Sequence, residues 1–386
     1  MAGSHPLKDR TAVVGVGETR FAKILPEDEL TMACQAITLA LADAGIAPEE
    51  VDGVTSYTQQ SFDETMVARA VGMGDLTFFA MSGFGGGAGC STIGLAAMAV
   101  ATGQANVVVA YRSRKRGAKT TRVWAQSPNE ITDHWKWSRP HGLLRPVDEM
   151  AVLMRRYMHE YGGTRDHLAN IALAARKHAN NNPAAVMYDR QMTRDDYMNS
   201  RWVSEPLCLF DNCLETDGAS AVVIVSAERA KDCQQAPVYI HSVAQGLPKQ
   251  MQIMTNYHSD DPLRSPSWAA AKNLWSQSDM GPADVQACQF YDAFTPLIIF
   301  QLEGFGFCGR GEAGAFTENG NIEIGGSLPI NTSGGGLSEC YLHGFNLITE
   351  AIRQVRGTSP NQVPNCEISM ATSAEAVPTG AVIFRR

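Results

Sequence analysis

The 386-residue chain has no apolar run approaching the roughly 20 residues that a membrane-spanning helix needs. Its opening, Met1 to Arg10, is polar and contains Pro6, so it lacks the apolar core of a secretory leader. Positive charge is scarce: 32 Lys and Arg against 40 Asp and Glu leave a formal net charge of −8. That balance argues against a general nucleic-acid binder. Cysteine is sparse and unpatterned, with nine residues and neither a Cys-x-x-Cys pair nor a Cys/His cluster. An odd, scattered count argues against a disulfide framework or a zinc site and for reduced thiols. These absences lead us to expect a cytoplasmic protein that binds neither nucleic acid nor membrane and holds no metal.

What remains is a globular composition, 44% hydrophobic and 19% charged, long enough for two domains or two fused halves. Thr11 to Gly17 reads as a buried strand. Asp28 is placed to cap a helix from Glu29 to Ala44, where Leu30, Ala33, Ile37, Ala40 and Ala44 share one face and Gly45 supplies the stop. A glycine loop, Ser82 to Gly87, opens a small-residue helix from Ala88 to Thr102, and Ala105 to Tyr111 follows as a buried strand. Arg112 to Arg122 is then a basic run in an acidic chain. Such a run is usually a solvated loop; the functional alternative is a phosphate contact for a nucleotide-bearing substrate. Trp124, Trp135 and Trp137 follow in a stretch that reads as an irregular lid over an apolar ligand or as subunit packing. Helices are expected at Glu149 to Tyr161 and Asp166 to His178, and strands at Ala221 to Val225 and Val238 to Val243.

The chain repeats itself. Gly45 to Val51 and its strand to Tyr57 match Gly281 to Val285 and a strand to Tyr291, with 282 − 48 = 285 − 51 = 291 − 57 = 234. The Gly85 to Gly87 loop pairs with the Gly334 to Gly336 loop, and each leads to a helix ended by glycine, Gly103 or Gly357, and then a strand. A strand–helix unit used twice is a duplicated α/β fold. We set the halves at residues 1–235, with a loop or lid insertion at about 112–205, and 236–386. Duplication brings the two glycine-loop helices together at the centre. It draws attention to Tyr341 and His343, which follow the second loop, and to free N–H groups that such a loop could offer an oxyanion.

These motifs resemble the thiolase superfamily over essentially the whole chain. Asp217-Gly218-Ala219 and the closing Thr379 to Phe384 are similar to that family too. Yet every catalytic position is altered. The family places its nucleophilic Cys about seventeen residues before the glycine that ends its helix. Counting back from Gly103 reaches Gly86, which cannot attack anything. Tyr291-Asp292-Ala293-Phe294 stands in the slot of Asn-Glu-Ala-Phe or His-Asp-Cys-Phe, Tyr341 stands where Gly-His-Pro has its His, and Met370 to Ala374 offers no second Cys. This arrangement resembles the lipid-transfer-protein-like, thiolase-fold aldolases of steroid side-chain degradation.

The resemblance implies an αβαβα five-layer sandwich and a carbon–carbon lyase that cleaves a β-hydroxyacyl-CoA, giving a ketosteroid and propionyl-CoA. A retro-aldol needs a base for the β-hydroxyl, a site for the thioester oxygen and an acid for the α-carbon, which Tyr291 and Tyr341 with His343 can supply. Gly86, Gly335, Gly336, Arg114 and Arg116 are the expected substrate contacts. No cofactor is implied beyond the coenzyme A of the substrate. A homodimer and a small acyl-CoA-binding partner with an OB-fold and zinc ribbon are implied as well. Two other readings stand beside this one. Cys90-Ser91-Thr92 resembles the nucleophile segment of sterol-carrier-type thiolases displaced by one helical turn, so Cys90 could make the protein an acyltransferase. A non-catalytic carrier of lipid or acyl-CoA would also keep this fold.

Overall fold

The computed structural model describes residues 5–118, 131, 135–250, 254, 259–375 and 377–386. The first half runs β1 (Thr11–Glu18), α1 (Glu29–Ala44), β2 (Gly53–Tyr57), α2 (Glu64–Val71), β3 (Phe78–Ser82), α3 (Gly89–Ala101) and β4 (Val107–Lys115). Helices α4 (Trp135–Ser138), α5 (Pro146–Tyr161), α6 (Arg165–Ala179) and α7 (Arg194–Met198) follow, with a small hairpin of β5 (Trp202–Ser204) and β6 (Leu207–Cys208). The chain then returns to the main sheet as β7 (Asp217–Ser226). The second half is β8 (Val238–Gly246), α8 (Ser267–Ser276), β9 (Ala287–Gln289), α9 (Thr295–Gly304), α10 (Ala313–Phe316), α11 (Gly335–Ser338), α12 (Phe345–Arg356), β10 (Ile368–Thr372) and β11 (Thr379–Arg385).

Local signals account for much of this. The Asp28 carboxylate accepts from the Thr31 N–H at 2.7 Å to cap α1, and Gly45 ends the helix at φ 70°. Gly15 and Gly17 let α1 lie directly on β1: a Cβ at either would come within 2.1 Å of the Ala40 or Ala36 carbonyl oxygen. At α8 no side chain caps the first turn. The helix begins at Ser267 after Pro266, and the Ser265 hydroxyl pairs with that of Ser267 instead.

Among the described residues the main sheet has nine strands in the order β3-β2-β4-β7-β1-β8-β11-β10-β9. The duplication is visible in that order. Reading outward from the β1/β8 junction, β7, β4 and β2 are answered by β11, β10 and β9 with the same senses of pairing. The offset of 234 holds in space: single 3₁₀ turns at Pro48–Glu50 and Pro282–Asp284 precede β2 and β9, which begin at Gly53 and Ala287.

Strand alternation divides the apolar side chains into three layers. Val107, Val109 and Tyr111 face α1, while Val108 and Ala110 face α3 and α12. On the other side of those central helices, Val382 and Phe384 face inward and Ala381 and Ile383 face the outer core with α8, α9, α5 and α6. Two outer helical layers, two half-sheets and a central helical pair make the expected five-layer sandwich.

Three expectations are corrected. First, the glycine loops are not true counterparts. Helices α3 and α12 end at Gly103 and Gly357, an offset of 357 − 103 = 254. Applied to Gly85–Gly87, that offset reaches Glu339–Tyr341, and Gly334–Gly336 instead opens the separate single turn α11. Second, the insertion does not begin at residue 112, because β4 continues to Lys115 paired with Asp217. Helices α5 and α6 are built into the outer core, with the Arg176 Nε donating to the Ser338 hydroxyl at 3.0 Å. Trp135 and Trp137 lie on α4; Trp124, Lys119 and Arg122 lie outside the described residues. Third, the described part of the basic run, 112–118, is no solvated loop. Arg112, Arg114 and Arg116 are 0%, 5% and 7% exposed. Arg114 donates to the Gln59 carbonyl and pairs with Glu29 at 3.2 Å, and Lys115 Nζ donates to the Leu25 and Glu27 carbonyls.

Removing one partner of a buried ion pair strands the other charge, at a cost of about 3–5 kcal/mol. Arg114→Ala is therefore expected to show a lowered Tm and an unchanged KM in its folded fraction. A variant with the parent Tm and a raised KM for a CoA ester would return Arg114 to the substrate.

Candidate active site

Tyr291 lies two residues beyond β9, and its backbone is held on both sides. Its N–H donates to the Thr372 hydroxyl at 2.9 Å, and its carbonyl accepts from Gln301 of α9 at 2.8 Å. Its side chain crosses Gly86, where an added Cβ would come within 2.1 Å of the Tyr291 Oη and 2.6 Å of Cζ. Gly344 bounds the other side of the ring, where a Cβ would meet Cδ2 at 2.8 Å. The ring therefore needs glycine at both positions.

Tyr341 sits in the turn before α12, with its N–H donated to the Thr216 hydroxyl at 2.9 Å. The two tyrosine hydroxyls are hydrogen-bonded to each other, with ring centroids 6.1 Å apart and planes at 64°. Burial raises both phenols well above the ordinary tyrosine pKa; for Tyr341 the Tyr291 neighbour adds to it and the Arg116 charge opposes it. Both are neutral phenols at rest. Arg116 thus lies near the tyrosine pair, and its Nη2 donates to the Gln59 side chain at 3.2 Å.

His343 completes the cluster, its ring 5.3 Å from that of Tyr341 and edge-on to it. Its Nδ1 lies 2.6 Å from Arg112 Nη2. Burial, then the charges of Arg112, Arg114 and Arg116, hold its pKa well below the ordinary value, so the imidazole is neutral.

Gly335 and Gly336 have a different role from the one expected. The Asp292 carboxylate fills the loop, accepting from the Gly336 N–H at 2.8 Å and the Leu337 N–H at 3.3 Å. A Cβ at Gly335 would come within 2.3 Å of that carboxylate. These donors are engaged by the chain's own carboxylate, whose pKa burial raises to about 6 against the pull of those hydrogen bonds. Cys90 is fully buried inside α3, with its N–H donated to the Ser373 hydroxyl at 2.7 Å. Burial pushes its thiol up to about 12, the reverse of what an activated nucleophile requires.

The structure thus brings together Gly86, Tyr291, Tyr341 and His343. Sequence reasoning missed Asp292, Arg112 and Tyr57. The Tyr57 hydroxyl donates to the Leu342 and His343 carbonyls at 3.1 and 3.3 Å. Two signals were present: Tyr57 is the repeat mate of Tyr291, and Arg112, Arg114 and Arg116 recur with the period of two that marks one face of a strand. Among the described residues no group of His, Cys, Asp and Glu is arranged to hold a metal ion, and no helix is long and apolar enough to cross a membrane.

Comparison with known proteins decides the family. Residues 9–228 match the thiolase N-terminal domain and residues 250–383 the thiolase C-terminal domain-like family. The chain belongs to the thiolase family. Two relatives matched over nearly their whole length at 44–46% identity are named as a lyase and an aldolase. It is 46% identical to the 17-hydroxy-3-oxo-4-pregnene-20-carboxyl-CoA lyase of Mycobacterium tuberculosis, covering 98% of this chain and 100% of that one. It is 44% identical to a steroid side-chain-cleaving aldolase of Thermomonospora curvata, covering 98% of each. A solved structure described as the Ltp2-ChsH2(DUF35) aldolase superposes with a TM-score of 0.93 at 44% identity, again covering 98% of each chain. Human mitochondrial 3-ketoacyl-CoA thiolase, at 15% identity and a TM-score of 0.71, shares the fold. This thiolase-family protein is an aldolase acting on an acyl-CoA.

Overpacking a tight site costs about 1–3 kcal/mol and moves the obstructing side chain. Gly86→Ala is thus expected to displace Tyr291, lowering kcat by about as much as loss of the Tyr291 hydroxyl while the protein stays folded. An unchanged kcat would show that the ring does not need that space.

Proposed function

We propose that the enzyme cleaves a steroid side-chain CoA thioester bearing a tertiary β-hydroxyl, giving a ketosteroid and propionyl-CoA, with Tyr291 and Tyr341 as the proton relay. The observation that carries this reading is the hydrogen bond between the buried Tyr291 phenol and the half-buried Tyr341 phenol, beside a glycine at the nucleophile's place. In a retro-aldol the β-hydroxyl loses a proton, the Cα–Cβ bond breaks, and the α-carbon gains a proton. The first phenol accepts from the substrate hydroxyl as it donates to the second, and the second delivers a proton to the α-carbon. The proton count closes on the pair, so neither ring is left ionised. A phenol with a raised pKa is better matched to an alkoxide than an ordinary one near 10. The enolate oxygen of the thioester is assigned to His343, a neutral donor that adds no fixed positive charge. No cofactor is required beyond the coenzyme A carried by the substrate.

The alternatives lose ground on the same site. A thiolase needs a thiolate to hold the acyl group, and the Cys90 thiol is buried and raised. A carrier has no use for hydrogen-bonded acid–base groups at the end of a fold that elsewhere does chemistry. Replacing one general acid–base group typically costs about 10²–10⁴ in rate. Tyr291→Phe and Tyr341→Phe should each lose at least about a hundredfold in kcat with little change in Tm. The double variant should lose far less than the product, because the two act as one unit. Cys90→Ala should keep most of its activity. A dead Cys90→Ala beside two active Phe variants would sink the relay and favour acyl transfer.

We further propose that the enzyme works in the cytoplasm as a homodimer with a small acyl-CoA-binding partner of OB-fold and zinc-ribbon type. The DUF35 partner in the similar aldolase structure supports a partner of that kind, and all nine cysteines are free, as suits a reducing compartment. Strand β3 supports the dimer: it is the end strand of the sheet and exposes Phe79 and Met81, with Phe84 just beyond. A bare apolar edge invites pairing, and a second copy offers the same edge in return. Phe79→Glu with Met81→Glu should therefore give a monomer in sizing chromatography. An unshifted dimer would place the interface elsewhere.

A further inference from the structure

Arg112 is among the largest fully buried side chains of the described residues. Its Nη1 donates to the Tyr57 and Thr58 carbonyls at 2.6 and 2.8 Å, and its guanidinium stacks 4.1 Å above the Tyr57 ring. Its Nη2 meets His343 Nδ1 at 2.6 Å. A guanidinium has donors and no acceptor and keeps its charge. The histidine nitrogen in that contact must therefore be the acceptor. In a neutral imidazole the proton is then on the other nitrogen, Nε2.

The same pair of residues holds the backbone. Tyr57 donates to the carbonyls of Leu342 and His343, the two residues that follow Tyr341. His343 and Gly344 are both left-handed, at φ 53° and 84°, a conformation that a histidine does not hold without support. Tyr57 and Arg112 come from β2 and β4 of the first half, and the turn they hold belongs to the second.

We propose that Arg112 is a positioning residue: it holds His343 as a neutral imidazole with the proton on Nε2, and with Tyr57 it fixes the left-handed turn that presents Tyr341. Its catalytic consequence rests on the retro-aldol reading above; the tautomer does not. Fixing Nε2–H gives His343 one donor, and Nδ1 is no longer available as a competing base. The groups that face the ring are Arg112, Arg114 and Arg116 on one side and the Tyr341 ring on another. Three cations disfavour the imidazolium, so His343 stays a donor without becoming a charge.

The test is a ring-nitrogen NMR spectrum of the intact enzyme labelled with ¹⁵N-histidine, with the His343 signals assigned by their loss in His343→Gln or, if that fails to fold, His343→Phe. Nδ1 should be bare and Nε2 protonated from about pH 5 to 8. Arg112→Met, which removes the donor that makes Nδ1 an acceptor, should free the tautomer, so that a protonated Nδ1 appears in the spectrum. It should lower kcat about tenfold or more. Arg112→Lys, which keeps a donor and a charge, should recover part of both. A wild-type spectrum with the proton on Nδ1 overturns the proposal, as does an Arg112→Met enzyme with unchanged spectrum and kcat. If Arg112→Met does not fold, the wild-type spectrum decides alone. Full activity in both Tyr→Phe variants would instead defeat the relay and leave the tautomer to be judged by the spectrum.

Discussion

The site depends on one steric fact: the Tyr291 side chain occupies the space that a side chain at residue 86 would need. The two features cannot be varied independently. A thiolase keeps its cysteine at the start of the central helix and can have no ring across that position. This chain has the ring and must have glycine. Loss of the nucleophile and gain of the first phenol are therefore one change in packing. Gly344 extends the constraint, since it clears the opposite edge of the same ring and at φ 84° starts α12. With both glycines in place the Tyr291 hydroxyl reaches that of Tyr341.

Around that contact, the loop donors one would assign to substrate are already paired. Asp292 takes the N–H groups of Gly336 and Leu337, and Thr216 takes that of Tyr341. A buried carboxylate satisfied in this way fixes the residue next to it in sequence, Tyr291. The loop thus aims a phenol, and its N–H groups are not free for an oxyanion, which is why the proposed mechanism gives that role to His343. Burial then does two things at once. It raises the phenols toward the range of an alkoxide and lowers the histidine so that it stays neutral. Both shifts disfavour charge, which suits a reaction whose proton starts on oxygen and ends on carbon.

Much of this was legible in the chain. The offset of 234 located the halves and paired Tyr57 with Tyr291, and the count from Gly103 reached Gly86 because helix length is preserved where central helices pack. What was not legible depended on distance in space. Asp292 lies 44 residues before Gly336, and no local pattern shows that a carboxylate will fill that loop. Composition misled at Arg112 to Arg116, where charge suggested solvent. The period of two was the better guide, because a strand that continues from Val107 to Lys115 must carry every second residue inward. The glycine loops misled for a related reason: triple glycine marks a permissive backbone, not a homologous position.

The duplication explains how one fold came to supply both the reacting group and its support. Tyr57 and Tyr291 stand at equivalent ends of β2 and β9, and each points its hydroxyl toward the turn before α12. Only the second half provides a partner hydroxyl there. Tyr57 finds the Leu342 and His343 carbonyls instead, so its phenol is a backbone tie with no proton to relay. The difference between the two rings is set by what faces them, not by the strands that carry them. Arg112 strengthens the asymmetry, since it lies against the Tyr57 ring and the His343 imidazole but has no counterpart beside Tyr291 among its hydrogen-bond partners. A symmetric scaffold thus gives one phenol that meets a second hydroxyl and one that ties the backbone, and the tie holds the turn from which that second hydroxyl, Tyr341, projects.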